Sequence, residues 1–481
     1  MIQRSKISAA AQRRGKTLRP ASPTNPQSLP SHPPARELHQ IGKTFRQKCP
    51  RQSHADWKPP DNRVDPLTLL KRSSQGRLPE LIPIRYGRML QSPFTFYRGA
   101  ALNMAADLAA TPATGLRVQA CGDCHLLNFG LFATPERREI FDLNDLDETL
   151  PAPWEWDVKR LAVSFVLACR DNGFAKSARD TVLACVRSYR KRMAEYAEMN
   201  ALDVWYASLD VEKLLPEISL RGIGRLKKRI AKARQQRVEE HDFPKLAEVV
   251  GDLPVIKDNP PLIYHWRDKR KHADFFGRVT RAFARYRESL AEDRQMLLDR
   301  YEIRDVAIKV VGVGSVGTRC GILLLTAGEH PLFLQVKEAG PSVLEAYAGK
   351  SRHPNHGQRV VNGCRLMQSA SDIFLGWTEL NGHHYYIRQL RDLKVKLLVE
   401  TFTPAAMMLY AKMCGWALAL AHARSGPPAR ISGYLGKSDS FDEAISDFSI
   451  AYADQCERDY EVLEKAVHAG KLQIAPVEQP K

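Results

Sequence analysis

Apolar residues recur at helical spacing in six stretches of the chain, and strand-like segments sit between them. Residues 100–108, a long segment opening at Trp154-Glu155-Trp156-Asp157, and residues 177–200, 274–301, 402–423 and 439–466 read as helices. In the fourth, Phe275, Phe276, Val279, Phe283 and Tyr286 form a stripe of the kind that faces a core. Residues 116–120 alternate like a strand, and 128–132 and 139–143, with a turn at 134–137, read as a β-hairpin. Between 302 and 392 the pattern is mostly of strands: 306–313, then 321–325 and 332–337 around a turn at Gly328, with Phe374 and 385–388 in two more. One or two helices are expected between Ser342 and Ser369. Residues 1–75 are rich in Pro, Ser, Arg and Gln and lack any apolar period, so a disordered or loosely attached tail is expected.

This pattern divides the chain into a basic tail (1–77), a first helical part (78–301, with a less regular insertion at 201–265), a β-rich unit (302–392), a second helical part (393–467) and a loose C-terminus (468–481). The apolar fraction, 44%, suits a globular protein, and no run of about 18 apolar residues predicts a membrane span. Nine scattered Cys and the lack of an apolar secretory h-region lead to the expectation of reduced thiols in the cytoplasm. Of the net charge of +18, residues 1–51 carry +10, with Glu37 as their one acid. A solvated tail, a nucleic-acid or anionic-surface contact, and an organellar targeting segment are all open readings of that segment. The same choice applies to the basic run 225–234, a solvated face or a phosphate-binding element, and to Arg85, Arg88 and Arg98 among aromatics, which suit either surface packing or an anionic ligand.

The candidate chemistry centres on Cys121-Gly122-Asp123-Cys124-His125-Leu126-Leu127-Asn128 and on Phe141-Asp142-Leu143-Asn144-Asp145-Leu146-Asp147-Glu148. Kinase-type phosphotransfer needs one carboxylate to orient or deprotonate the acceptor hydroxyl, and an Asn and a second Asp to hold Mg²⁺ against nucleotide phosphates. Asp123 fits the first role. Asn128 and Asp142 fit the second, with Asp145 and Asp147 as further ligands. Cys121-x-x-Cys124-His125 also spells the c-type haem attachment string, a redox pair or part of a zinc site. None of these accounts for Asn128 or the acidic cluster. Gly312-x-Gly314-x-x-Gly317 joins two strands, which suits a phosphate-covering hairpin rather than a dinucleotide-binding turn that opens a helix. A glycine-bearing hairpin with no ligand is its plain alternative. Lys337, on the strand after it, is the candidate for the phosphates. Glu345, with Glu338 as alternative, is the candidate helix-borne partner of that Lys.

Gly122-Asp123-x-His125-x-x-Asn128 resembles the catalytic loop of aminoglycoside phosphotransferases and related small-molecule kinases, H-G-D-x-H-x-x-N, with Cys121 in place of the first His. Phe141-Asp142-Leu143 resembles their metal-binding I-D-[FWL], and Asp157 their helix-start Asp that buttresses the loop. The glycine loop and Lys follow these motifs here instead of preceding them. The resemblance therefore implies an α+β, two-lobed protein-kinase-like fold that is circularly permuted: a small β-rich lobe late in the chain and a larger helical lobe from both flanks. It implies ATP and Mg²⁺ as cofactors, a small-molecule hydroxyl acceptor, residues 385–390 as the crossing between lobes, and Lys337 facing Asp142 across a cleft.

A second resemblance covers roughly residues 78–465. Phe96-x-Arg98-Gly99-Ala100, the two motifs above, Trp154-Glu155-Trp156-Asp157, Val311-Gly312-Val313-Gly314-Ser315-Val316-Gly317-Thr318-Arg319, His356-Gly357-Gln358-Arg359, Tyr386-x-Arg388-Gln389-Leu390 and His422-Ala423-Arg424-Ser425-Gly426 are similar to the bacterial domain-of-unknown-function family 2252. That family implies no substrate. A nucleotide-binding regulator without turnover and a nucleic-acid-associated protein acting through residues 1–51 stay open beside the phosphotransferase.

Overall fold

Six antiparallel strands and a set of long helices carry the architecture in the computed structural model, which describes residues 33–214, 243–265, 269–310, 312–390 and 397–475. The strands, in chain order, are β1 (Arg117–Ala120), β2 (Phe129–Ala133), β3 (Glu139–Leu143), β4 (Leu150–Pro153), β5 (Ala247–Val250), β6 (Leu253–Ile256), β7 (Ile263–Tyr264), β8 (Glu302–Lys309), β9 (Cys320–Ala327), β10 (His330–Glu338), β11 (Gly376–Leu380) and β12 (His383–Gln389). The principal helices are α1 (Ala35–Lys48), α2 (Trp154–Asp171), α3 (Ala178–Glu198), α4 (Lys269–Glu288), α5 (His356–Met367), α6 (Pro404–Ser425), α7 (Pro428–Leu435) and α8 (Ser440–His468). The fold is mixed α+β, as expected.

The large sheet runs β11-β12-β10-β9-β8-β7, and its alternation explains the apolar run at 322–325. Leu323 and Leu325 point to one face, where they meet Tyr286 of α4 with Leu332 and Leu334. Ile322 and Leu324 point to the other, against Phe333 and against Leu246, Ala247 and Ile256 around the β5–β6 hairpin. Part of the expected 201–265 insertion thus belongs to the sheet, since β7 also extends its edge by pairing Ile263 with Lys309. The basic run 225–234 lies outside the described residues.

α2 lies at the centre of the helical part. It is buried on every side from Trp154 to Cys169, including Glu155, Asp157, Lys159 and Arg160. Trp154 stacks on Tyr189 of α3, with ring centroids 5.7 Å apart, and α6 packs along α3. By length and composition α6 could cross a membrane, but 56% of its most apolar window is buried within the protein, as a core helix is.

Two expectations change. The helix expected over 274–301 is broken, because Ala291 is extended and a separate helix covers Glu292–Leu298. The break at Ser289 serves β11, since the Ser289 hydroxyl accepts from the Trp377 amide at 2.9 Å. The tail is also shorter than expected. α1 is ordered although largely polar, because it adds backbone approach and Arg side chains to a short apolar stripe of Leu38, Ile41 and Phe45, the last packed on the main core. A Cβ on Gly42 would stand 2.1 Å from the Arg430 carbonyl, and one on Gly433 of α7 2.1 Å from the His39 carbonyl. Arg46 Nε and Arg51 Nη1 donate to the Tyr434 and Leu435 carbonyls at 2.8 and 2.7 Å, capping the α7 C-terminus. Further on, Arg63 bridges the Asp107 and Asp459 carboxylates at 2.8 and 2.6 Å. Residues 1–32, with six of the eleven Lys and Arg of residues 1–51, lie outside the described residues.

Candidate active site

The loop after β1 is held from beneath by Asp157. Its carboxylate accepts from the amides of Cys121 at 2.6 Å and Gly122 at 3.0 Å. The Asp157 side chain is positioned in turn by His422 Nε2 at 3.1 Å, and Tyr189 OH is 2.9 Å from His422 Nδ1. Gly122 takes φ 82°, and a Cβ there would lie 2.4 Å from the Glu148 carbonyl, so the turn demands glycine. Asp157 thus occupies the buttressing place that the loop resemblance implied.

Asp123 follows at the open side of that turn, with 21% of its side chain exposed. Its Oδ1 takes the Arg160 guanidinium, Nε at 2.8 Å, while His125 Nε2 stands 3.9 Å from Oδ2. Burial pushes the His125 imidazole down to about 3, so the ring is neutral, and its Nδ1 accepts from the Leu127 amide. Asn128 Nδ2 donates to the Asp123 carbonyl at 2.7 Å, and the Asn128 carbonyl accepts from the Asn144 amide at 2.8 Å. The loop after β1 and the second acidic cluster are therefore joined through Asn128.

Lys337, in the middle of the large sheet and 3% exposed, reaches this cluster. Its ammonium lies 2.6 Å from Asp147 and 3.3 Å from Asp145. Tyr386, opposite Lys337 on β12, donates its hydroxyl to Asp147, and Arg388 Nη1 donates to the Asn144 carbonyl at 2.9 Å. Burial works to lower the Lys337 ammonium, but the two carboxylates overcome it and hold the group well above its ordinary value. Burial and then the Asp147 charge push the Asp145 carboxyl up to about 6. Burial would raise Asp147 as well, but the Lys337 charge and bonds from Lys337 and Tyr386 bring it well below the usual carboxylate range. Asp147 is the ionised partner of Lys337.

Several sequence expectations are corrected here. Asp142 does not face Lys337: its two oxygens accept from the Leu143 amide at 2.8 Å and the Ser369 amide at 2.7 Å, and it is buried. Asp145 and Asp147 stand where Asp142 was expected. Neither candidate Glu pairs with Lys337. Glu345 lies 3.7 Å from His356 and accepts from the Ser342 amide, while Glu338 pairs with Arg319 and His383. Residues 385–389 are strand rather than a crossing, paired with 334–338 on β10, and residues 391–396 lie outside the described residues. The glycine hairpin joins β8 to β9, with Gly312 at φ 66° and Gly317 at φ 89°. Its carbonyls at Gly312, Val316 and Gly317 accept from Arg88, Arg77 and the Leu78 amide, so it rests on the segment that leads to Arg98. A Cβ on Gly314 would lie 3.2 Å from the Arg98 carbonyl.

Arg160 and Arg359 are parts of the site that sequence reasoning left without a role, and Tyr386 was expected only within the crossing between lobes. Arg359 on α5 donates to the carbonyls of Asp147, at 2.8 Å, and of Thr149 and Gly340. Arg160 was within reach of the sequence: three residues beyond Asp157, it falls on the same face of α2 and so points at the same loop. The Cys pair is structural. All nine thiols are unbridged and buried, and burial helps push Cys121 up to about 11 and Cys124 higher. Cys121 stands where the resemblance has a His, and its Sγ donates to the Asp145 carbonyl at 3.6 Å. Among the described residues no group of three or more His, Cys, Asp or Glu is placed to hold a metal, which removes the zinc reading of that pair. A cleft of about 680 Å³ between α3 and α6, lined by Arg192, Lys412 and Trp416, contains none of the residues above.

A family model described as an uncharacterized protein conserved in bacteria (DUF2252) matches residues 77–466. No curated protein and no solved structure matches this chain.

Proposed function

From a chain that belongs to the DUF2252 family, and from its site geometry, we propose an ATP- and Mg²⁺-dependent phosphotransferase of circularly permuted kinase-like fold, acting on a hydroxyl of a small molecule. The observation that carries it is the meeting of Lys337 with Asp147 and Asp145, which are about 190 residues away in sequence and follow Asn144, whose amide bonds to Asn128 and so joins them to the Asp123 loop. The sheet supports it. A glycine hairpin, the Lys strand, helix α5 and two more strands follow one another, and the last strand returns beside the Lys strand. That is the order a nucleotide-covering lobe requires.

The donor set fits Mg²⁺. It is all oxygen, and Asn144 Oδ1, next to Asp145, is buried without a hydrogen-bond partner. Asn128 spends its amide nitrogen on Asp123 and leaves its oxygen for a cation. Asn128 and Asp145, with Asp147, would hold Mg²⁺, whose charge neutralises phosphate oxygens when it is bound. Gly312, Gly314 and Gly317 let backbone amides approach the phosphates. Lys337, already poised by Asp147, pairs with them. Asp123, fixed through Oδ1 by Arg160, presents Oδ2 to orient the acceptor hydroxyl and take its proton. Catalysis is then mostly positioning and electrostatics.

The test uses the full chain. Calorimetry measures MgATP affinity, and ADP release is followed over a panel of hydroxyl compounds. Asp123→Asn should lower turnover about a hundredfold or more and leave MgATP affinity within about twofold. Lys337→Met should weaken MgATP. A wild-type chain that binds no nucleotide would refute the reading. Tight ATP binding with no consumption dependent on Asp123 would favour the regulator instead.

A further inference from the structure

Arginines crowd the seam between the glycine hairpin and the catalytic loop, and all but one are committed. Arg77 donates to the Ser73 and Val316 carbonyls, and Arg88 to Gly312. Arg85 takes the Ser73 and Ser74 hydroxyls and the Gly99 carbonyl. Arg160 holds Asp123, and Arg319 holds Glu338.

Arg98 differs. Its Nε is buried without a hydrogen-bond partner, and among the described residues it makes no hydrogen bond or ion pair. Its guanidinium rests over the Phe94 ring, 6.0 Å from the centroid, which limits where it can swing. Its carbonyl abuts Gly314, the Asp123 and Glu400 carboxylates act on its charge, and its charge acts on His125. His125 is neutral and turns Nε2 toward Asp123, so it supplies no anion. With its Nε buried and unbonded and the side chain as a whole half-buried, the guanidinium keeps donors free for an anionic ligand. Its backbone carbonyl touches the hairpin that would cover phosphates, and its charge interacts with the carboxylate that would meet the acceptor.

We propose that Arg98 is the receptor for a phosphate oxyanion held between Gly314 and Asp123. The inference rests on the phosphotransferase reading for where the phosphate comes from. The terminal phosphate of the nucleotide and a phosphate on the acceptor share this chemistry.

The experiment compares full-length wild type, Arg98→Met and Arg98→Lys by calorimetry, titrating MgATP, MgADP, and inorganic phosphate into MgATP-saturated protein. If the nucleotide's terminal phosphate is the ligand, Arg98→Met weakens MgATP about tenfold or more and leaves MgADP within about twofold. If an acceptor phosphate is the ligand, both nucleotides bind as in wild type and inorganic phosphate binding falls by the same factor. Arg98→Lys keeps the charge and should recover part of either loss. Arg98→Met should melt no lower than wild type, because it removes an unpartnered buried group; an Arg needed for packing would show the opposite. If neither the ATP preference over ADP nor phosphate binding changes, or both nucleotides weaken equally while the melt falls, the proposal is overturned. Should Arg98→Met not fold, the packing role is the better account, and unchanged Arg98→Lys affinities would overturn the proposal as well. A wild-type chain that binds phosphate through Arg98 but no nucleotide would refute the phosphotransferase and keep this site.

Discussion

Asp145→Asn should make the protein more stable at neutral pH while removing its response to Mg-nucleotide. Burial and the neighbouring Asp147 charge push the Asp145 carboxyl from an ordinary 3.8 up to about 6. Between those values the folded chain holds a proton that the unfolded chain has released. Stability therefore falls as pH rises through that window and stays lower above it. A displacement of about two pH units, at about 1.4 kcal/mol each, sets a ceiling of about 3 kcal/mol. Asp145 keeps 35% of its side chain exposed, so solvent screening brings this down, to about 1–1.5 kcal/mol. Asn cannot ionise and escapes that penalty, and its carbonyl oxygen can still accept from Lys337. Urea denaturation of both proteins between pH 4.5 and 8 measures the difference, which should be largest near pH 7.5 and close up toward pH 4. MgATP at a hundred times its Kd should raise the wild-type stability by about 2.7 kcal/mol and leave the variant unmoved. A variant less stable than wild type at pH 7.5 would show that the Lys337 attraction outweighs burial at Asp145, and would refute the reasoning.

Asp157→Ala strips the Cys121 and Gly122 amides and His422 of a buried acceptor, and should destabilise the fold by about 3 kcal/mol in chemical denaturation. Gly122→Ala meets both a left-handed φ of 82° and the Glu148 carbonyl at 2.4 Å; a loss of at least about 2 kcal/mol is expected, with MgATP binding weakened in the fraction that folds. Removing residues 1–55 deletes the Arg46 and Arg51 bonds to α7, and should lower stability by about 3 kcal/mol or more.

What the sequence made legible follows from periodicity. α3 and α8 and the strands β9, β10 and β12 bury apolar positions at spacings of 3.6 or 2, α2 and α6 are long apolar stretches buried nearly all round, and both patterns can be read without a structure. α1 offers only a short stripe, Leu38, Ile41 and Phe45. The rest of its docking leaves no hydrophobic pattern, because Gly42 and Gly433 let two backbones touch and Arg46 and Arg51 cap a distant helix. The tyrosine and arginine partners of the carboxylates were hidden for a similar reason. Tyr386 and Arg359 lie on the β-rich part, and only the pairing of β10 with β12 and the docking of α5 bring them to Asp147.

The positions of Asp142, Asp145 and Asp147 show where residue order and geometry part. Asp142 directly follows the apolar pair Ile140-Phe141, which puts it inside β3, in register with Gly130. A residue inside a ladder has its side-chain direction set by the strand, and Asp142 is directed into the protein, where the Leu143 and Ser369 amides saturate it. Asp145 and Asp147 come after β3 has ended at Leu143, so the chain is released from the ladder and can turn two carboxylates toward the sheet. The same release explains Cys121. Its thiol reaches the carbonyl of Asp145, not that of Asp142, and so ties the loop after β1 to the carboxylate that Lys337 meets. The task of Cys121 here is to donate one bond to a carbonyl. That task needs a buried, protonated donor, and a thiol pushed up to about 11 remains one.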